Sequence, residues 1–280
     1  MIRTPQHVAF VTLIASAVCA VASADTAVLT SVADNTIIED AAGAYSGGGA
    51  QYFFVGRVGV NGSSLLRRGA LRFDFSSIPA GAIVTSVTLR MNCSAAGHTA
   101  AETVSLKRFT ASWGEGASVA FGGGGAPAQP NDVTWLHRHY PSTLWATPGG
   151  EFAATASSSR SVTGVGLYVW PTSAQFVTDV QQMIATPASN FGWCVVGNEV
   201  TLQSVKRFDS RESGGATSKP QLTVVYTAVP RFDLTGDGKV NAADLAVLIA
   251  AWGATGPGDF DGDGVVGAPD LSALLAAWTL

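Results

Sequence analysis

The sequence predicts a mainly β protein: an antiparallel β-sandwich of two sheets packed face to face, one helix lying on it, and a small helical module at the C-terminus. Three observations carry this. From residue 25 to 228, short runs rich in Val, Thr, Phe and Tyr alternate with clusters of Gly, Ser, Asn and Pro, the punctuation of an all-β domain. One segment, Ser173 to Ile184, breaks that rhythm with apolar residues at helical spacing. From residue 229 onward an Asp-rich motif occurs twice, each copy followed by an apolar helical run.

The expected strands are Ala27–Val32, Gln51–Arg57, Arg68–Phe75, Ile83–Asn92, Thr103–Phe109, Gly166–Trp170, Gly192–Gly197, Lys206–Arg211 and Gln221–Thr227. In Arg72-Phe73-Asp74-Phe75 and Val87-Thr88-Leu89-Arg90-Met91, polar and apolar residues alternate, as a strand with one wet face requires. Within Ser173–Ile184, the residues Phe176, Val177, Val180, Met183 and Ile184 form one helical stripe, with Thr172 or Ser173 as N-cap and Pro187 beyond the end. Phe121–Pro130, with its Gly run and two Pro, reads as a long surface loop. About 200 residues is an ordinary size for one sandwich, so 25–228 is read as a single domain.

Composition narrows the function classes. With 47% hydrophobic and 13% charged residues among 280, the chain is too apolar for wholesale disorder. Its net charge is −4, and residues 231–280 hold seven carboxylates against Arg231 and Lys239, leaving no basic field for nucleic acid. Arg3, an apolar run from Val8 to Val21 and Ala22-Ser23-Ala24 read as a signal peptide over 1–24, cleaved before Asp25. That run is short for a membrane anchor, and the residue before Cys19 is Val18, where a lipid-attachment site wants a small residue. The expected protein is therefore secreted, extracellular or at the cell surface, with no membrane span after cleavage. Cys93 and Cys194 then remain, as a disulfide in an oxidising compartment or as two buried thiols.

Sugar binding needs exposed aromatic faces beside polar groups, and Trp113, Trp135, Trp145, Trp170 and Tyr140 lie in or beside expected loops. Trp145, in the polar stretch Pro141–Trp145, reads as the most exposed. His137 and His139, two apart around Arg138, would share one face of a strand, where imidazoles bind a metal or serve as acid and base. Glu115, Asp209 and Glu212 are candidates for a carboxylate pair, and Arg207, Asp209 and Arg211 for ion pairing across strands.

The motif order in 25–228 resembles the disaggregatase-related (DNRLRE-type) domain. Its matching segments are Asp34-Asn35-Thr36, Phe54-Val55-Gly56, Arg67–Ala70 leading into Leu71-Arg72-Phe73-Asp74-Phe75, Ile78–Ala82 and Ser86–Leu89. Trp113-Gly114-Glu115-Gly116, Asp132-Val133-Thr134-Trp135, Asn190–Trp193, Arg207–Glu212 and Lys219–Leu222 continue the series. The resemblance implies a jelly-roll-like secreted sandwich, commonly an accessory module of polysaccharide-associated proteins. Jelly-roll polysaccharide lyases use His, Tyr and Arg, so His137, His139 and Tyr140 keep a lyase or hydrolase open as the rival to a binding protein. A structural surface protein without sugar specificity is the third reading.

The repeat is the strongest motif. Asp233-Leu-Thr235-Gly-Asp237-Gly238-Lys239-Val-Asn241-Ala-Ala-Asp244 recurs 26 residues later as Asp259-Phe-Asp261-Gly-Asp263-Gly264-Val265-Val-Gly267-Ala-Pro-Asp270. Side-chain oxygens at positions 1, 3, 5, 9 and 12, the carbonyl of position 7 and Gly at position 6 suit a calcium ion. Helical runs Leu245–Trp252 and Leu271–Trp278 follow, while the segments before each loop are turn-like, unlike a two-helix EF-hand. The arrangement over 229–280 resembles the dockerin type I module. That resemblance implies two Ca2+ ions held by Asp233, Thr235, Asp237, Asn241, Asp244, Asp259, Asp261, Asp263, Asp270 and the carbonyls of Lys239 and Val265, with a cohesin-like protein as partner. Two departures are Thr235, in place of the usual Asp or Asn, and Gly267, which brings no side-chain oxygen. At the partner-facing positions 10 and 11 stand Ala242-Ala243 and Ala268-Pro269.

Overall fold

The computed structural model describes residues 24–215 and 218–279. The expected signal peptide lies outside the described residues, apart from Ala24, as does Cys19. In chain order the strands are β1 (Ala24–Ile38), β2 (Tyr45–Ser46), β3 (Tyr52–Arg57), β4 (Leu66–Phe73), β5 (Ile83–Ala96), β6 (Glu102–Arg108) and β7 (Ala126–Pro127). They continue as β8 (His137–His139), β9 (Thr143–Leu144), β10 (Ser158–Val162), β11 (Gly166–Trp170), β12 (Trp193–Val196), β13 (Lys206–Asp209) and β14 (Gln221–Thr227). Three helices, α1 (Ala174–Ala185), α2 (Ala242–Ala250) and α3 (Ala268–Ala276), complete the described residues. The protein is mainly β, as expected, and the strand pairs are antiparallel.

The two sheets expected to face each other are joined into one ten-stranded sheet that closes on itself. Strand β1 pairs β14 through Ala24–Thr30 and then β4 from Ser31 to Ile38, with a register shift between Ser31 and Ala33. Strand β3 turns the opposite corner, pairing β13 over Tyr52–Val55 and β4 over Gly56–Arg57. Bulges and left-handed glycines let strands bend in this way, and Gly56 sits at φ +103° with the Ser204 carbonyl just beneath it. With β5 between β14 and β13, the circuit β1–β14–β5–β13–β3–β4 returns to β1.

The closed sheet encloses a core of Phe53, Leu71, Phe73, Leu89, Trp170, Trp193 and Phe208 with many smaller apolar residues. Helix α1 closes one side: Phe176, Val180, Met183 and Ile184 are buried in that core. Ser173 caps it, its Oγ accepting from Phe176 N at 3.0 Å, the arrangement that satisfies a first-turn amide. Asp179, buried on the same helix, reaches Arg108 at 3.1 Å and Ser157 Oγ at 2.5 Å, so its charge is paired. Fully burying a side chain such as Phe176 contributes about 2–3 kcal/mol, which fixes α1 on the sheet more firmly than its intrinsic propensity does.

Residues 229–279 have a core of their own, Val240, Leu248, Val266 and Leu274, which is two residues repeated at the 26-residue interval. The hydrogen bonding repeats as well: Gly253 N donates to Val266 O at 2.9 Å, and Thr279 N, 26 residues on, donates to Val240 O at 2.8 Å. Both helices begin three residues earlier than their apolar runs suggest, because loop position 9 (Asn241, Gly267) is the N-cap and the Asp at position 12 falls at N3. There Asp244 and Asp270 accept the N-cap amides, at 2.8 and 2.7 Å.

Candidate functional site

The two Asp-rich loops are built alike at positions 1 and 5. Asp233 accepts from Gly236 N at 2.7 Å and Gly238 N at 2.6 Å, and Asp259 accepts from Gly262 N at 2.8 Å and Gly264 N at 2.9 Å. Position 5 repeats the pattern, Asp237 accepting from Lys239 N and Asp263 from Val265 N. Gly238 and Gly264 stand at φ +85° and +94°, a turn that a Cβ would strain. Each loop gathers three carboxylates within 4.8 Å of one another: Asp233, Asp237 and Asp244 in the first, Asp259, Asp261 and Asp263 in the second. Asp270 is turned instead to the amides of Gly267, Phe260 and Asp261, which hold its carboxyl below the ordinary range. Burial raises Asp244, but the amides of Asn241 and Thr235 outweigh it and leave that carboxyl lowered too. Thr235 adds a hydroxyl beside Asp233 and Asp244, at 3.2 and 3.0 Å. The donor set is oxygen throughout and clustered at close range, which fits a hard divalent cation.

The residues that carry the sandwich resemblance converge although they are scattered from 34 to 212. Arg211 holds Glu115 bidentately at 2.6 and 2.9 Å and reaches Glu212 at 2.8 Å. Asp34, buried, accepts the Arg211 amide at 2.8 Å, while its own amide donates to Glu115 at 2.9 Å. Asn35 donates to the Glu115 carbonyl at 2.6 Å and accepts from Ser46 and Gly47. Asp132, also buried, accepts from Gln129 N at 2.7 Å. These side chains tie four separate segments together. Burial pushes the Asp34 carboxyl well up, and burial raises Glu212 as well. Glu115 and Glu212 thus share one arginine, while Asp209 stands apart, accepting from Asn92 at 2.7 Å. Of the residues expected to alternate along one strand, Arg207 on β13 lies over the Tyr52 ring at 4.0 Å, whereas Arg211, in the turn beyond β13, forms ion pairs.

The expected aromatic platform is largely core. Trp113 is buried with Nε1 donating to Phe191 O at 2.7 Å, and Trp170 is buried with Nε1 on Val104 O at 2.8 Å. Trp145, expected to be the most exposed, is 5% exposed, donates to Thr134 O and stacks on Phe109 at 5.7 Å. Its polar neighbours face solvent and the ring turns inward. Trp145→Ala is expected to cost about 3–5 kcal/mol in urea unfolding, the range for deleting a buried aromatic; a loss under 1 kcal/mol would place the ring outside the core. Trp135 remains half-buried, with the Arg68 guanidinium 5.0 Å from its ring, and Tyr140 is half-buried against His137.

The two histidines do not share a face. A register irregularity falls between His137 and His139 in β8, so the period of two is broken. His137 Nδ1 meets Thr134 Oγ1 at 3.1 Å, whereas His139 lies between Asn131 and Ser112. Burial, with Arg138 and Arg72, holds His139 below its ordinary 6.5. Neither histidine belongs to a carboxylate cluster among the described residues.

Cys93 and Cys194 are free and buried, in different apolar clusters. Burial raises both thiols, Cys194 to about 12. Neither is expected to react with Ellman's reagent at pH 8 until denaturant is added; reaction of the folded protein would contradict their burial.

Sequence reasoning singled out the loops residue by residue, but not Ser112, Asn131 or Asp34 as partners. Nothing in their spacing announces contacts that depend on how loops fold back. No helix among the described residues is long and apolar enough to cross a membrane. No protein-family model matches the chain, and no curated protein matches it.

Proposed function

We propose that the chain is a secreted, two-part protein in which residues 229–280, a dockerin-like module, bind two Ca2+ and dock onto a protein partner. The jelly-roll-like sandwich of the DNRLRE type would bind polysaccharide or a surface glycan. The observation that carries this reading is that in both adjacent loops the position-1 Asp accepts from the Gly amides at positions 4 and 6 and lies in a cluster of three carboxylates. Asp233, Thr235, Asp237, Asn241 and Asp244 would hold one ion with the Lys239 carbonyl. Asp259, Asp261, Asp263 and Asp270 would hold the other with the Val265 carbonyl, a water standing in at Gly267.

Support for docking comes from apolar side chains left exposed at equivalent places. Ile249 and Trp252 are 51% and 47% exposed, and their counterparts Leu275 and Trp278 are 49% and 37% exposed. A cohesin-like partner would meet the same small apolar face in either copy. For the sandwich, half-exposed Trp135 and Tyr140 remain the rings available to a glycan. Isothermal titration of calcium into chelator-stripped protein should give two sites, and absence of heat would remove the reading. Glycan-array binding that survives His137→Ala would favour a binding protein over a lyase centred on that residue.

A further inference from the structure

One hydrogen-bonded set of side chains in the sandwich has an arrangement that neither calcium docking nor glycan binding uses. An open depression of about 480 Å³ is lined by Ser112, Arg138, Leu144, Trp145, Glu151 and Phe191, among others. At its edge Ser112 Oγ lies 3.3 Å from His139 Nε2, and His139 Nδ1 lies 2.8 Å from Asn131 Oδ1. Arg138 Nη1 donates to the same Ser112 Oγ at 2.9 Å.

With His139 as the neutral imidazole, the protons in this set have one consistent arrangement. A carboxamide oxygen only accepts, so His139 Nδ1 carries the hydrogen and Nε2 the lone pair. The Ser112 hydroxyl then donates to Nε2, while its own lone pair accepts from Arg138. The backbone holds the parts in place: Asn131 N donates to Tyr140 O at 2.8 Å, and Gly114 N to Arg138 O at 2.9 Å. Asn131 stands at φ +69°, and a Cβ on Gly114 would come within 2.3 Å of its Oδ1. The carboxamide thus reaches His139 through space that only a glycine at 114 leaves open.

We propose that Ser112, His139 and Asn131 act as nucleophile, base and orienting group in the cleavage of small O-acyl esters, with the acyl group seated in this depression. In the first step Ser112 Oγ bonds to the ester carbonyl carbon while its proton passes to Nε2. The bond to the alcohol oxygen breaks, and that oxygen takes the proton. In the second step water adds to the acyl-Ser112 ester and gives its proton to Nε2. The bond to Oγ breaks, Oγ takes the proton back, and a carboxylic acid leaves. Arg138, held 2.9 Å from Ser112 Oγ, sets a positive charge near the carbonyl oxygen on which negative charge develops when Oγ bonds to the carbon.

Two features indicate an ester with a short acyl group. An Asn stabilises an imidazolium less than a carboxylate does, so a leaving group as poor as an amine is disfavoured. The depression is open and shallow, with Leu144, Trp145 and Phe191 as its apolar lining, which suits an acetyl-sized group over a long chain. The alcohol is assigned as a sugar hydroxyl, and only that assignment rests on the glycan reading above.

The test treats the full mature chain with a fluorophosphonate, maps the adduct by peptide mass, and measures hydrolysis of p-nitrophenyl acetate and of acetylated xylan. The expected result is an adduct on Ser112 and a fall on the order of 100-fold in p-nitrophenyl acetate turnover in Ser112→Ala, with melting unchanged. No adduct on Ser112, or turnover within twofold of wild type in Ser112→Ala, overturns the proposal. Labelling of the unsubstituted protein decides the matter even where the variant folds poorly. Hydrolysis of the small ester alone would keep the esterase and overturn the sugar alcohol; glycan binding without either activity would keep the binding reading and overturn the esterase.

Discussion

Chelating calcium from the full chain is expected to unfold residues 229–279 and leave the sandwich standing. The module buries four apolar side chains completely, Val240, Leu248, Val266 and Leu274, a core too small to hold two helices by itself. Helices α2 and α3 are nine residues each, and isolated helices under about 12–15 residues are marginal in water. Against that small gain stand seven carboxylates, six of them drawn into two clusters within 4.8 Å. The loop amides offset part of this repulsion, yet they carry only partial charge. A divalent cation would offset two of the three negative charges in each cluster, and binding to the folded form alone would stabilise it by about 4 kcal/mol per site when calcium exceeds the dissociation constant by about a thousandfold. Far-UV circular dichroism should therefore lose helix in chelator, and limited proteolysis should open new cuts beyond residue 228 while the sandwich stays intact. Asp233→Ala and Asp259→Ala should each reduce a two-site titration to one site. Identical helix content and cleavage in chelator and calcium would sink the dockerin-like reading.

The sequence made some elements legible because their residues report on both faces. Strands β11 and β14 have the expected limits, and α1 agrees to within a residue, since apolar period and capping residues coincide there. Strand β1 was legible only in its first half. Its continuation, Asp34-Asn35-Thr36, is polar and lacks the apolar alternation of a strand, but all three side chains are buried and the strand carries the corner of the closed sheet. Strand β10, Ser158-Ser159-Arg160-Ser161-Val162, was missed because as an edge strand its middle positions face solvent and need no apolar alternation. The Asp-rich loops could be read residue by residue because their carboxylates are local in sequence. Trp145 and the Ser112–His139–Asn131 contact could not, since loop return paths decide which side chain turns inward.

The cluster around Arg211 supplies the second large effect, because it sets one cation among Asp34, Glu115 and Glu212. Breaking a buried pair by removing one partner costs about 3–5 kcal/mol, and with the Arg211 side chain 40% exposed, solvent screening brings the expectation for Arg211→Met to about 2–3 kcal/mol at pH 7. The pH dependence separates lost charge from lost packing. Burial raises the Asp34 and Glu212 carboxyls above their ordinary 3.8 and 4.5. A group raised on folding binds its proton more tightly in the folded state. Its contribution is complete below the unfolded value and is lost as pH rises through the folded one. Arg211 opposes that loss by favouring the ionised forms, so removing it should matter little near pH 4 and increasingly toward pH 7. Urea midpoints of wild type and Arg211→Met at the two pH values measure this, and a deficit equal at both would assign the effect to packing. Adding Asp34→Asn and Glu212→Gln to the variant should restore part of the stability at pH 7 only. Such a result would make these motif residues the clamp of the loops, and would leave the sandwich's ligand chemistry to be sought at its surface depressions instead.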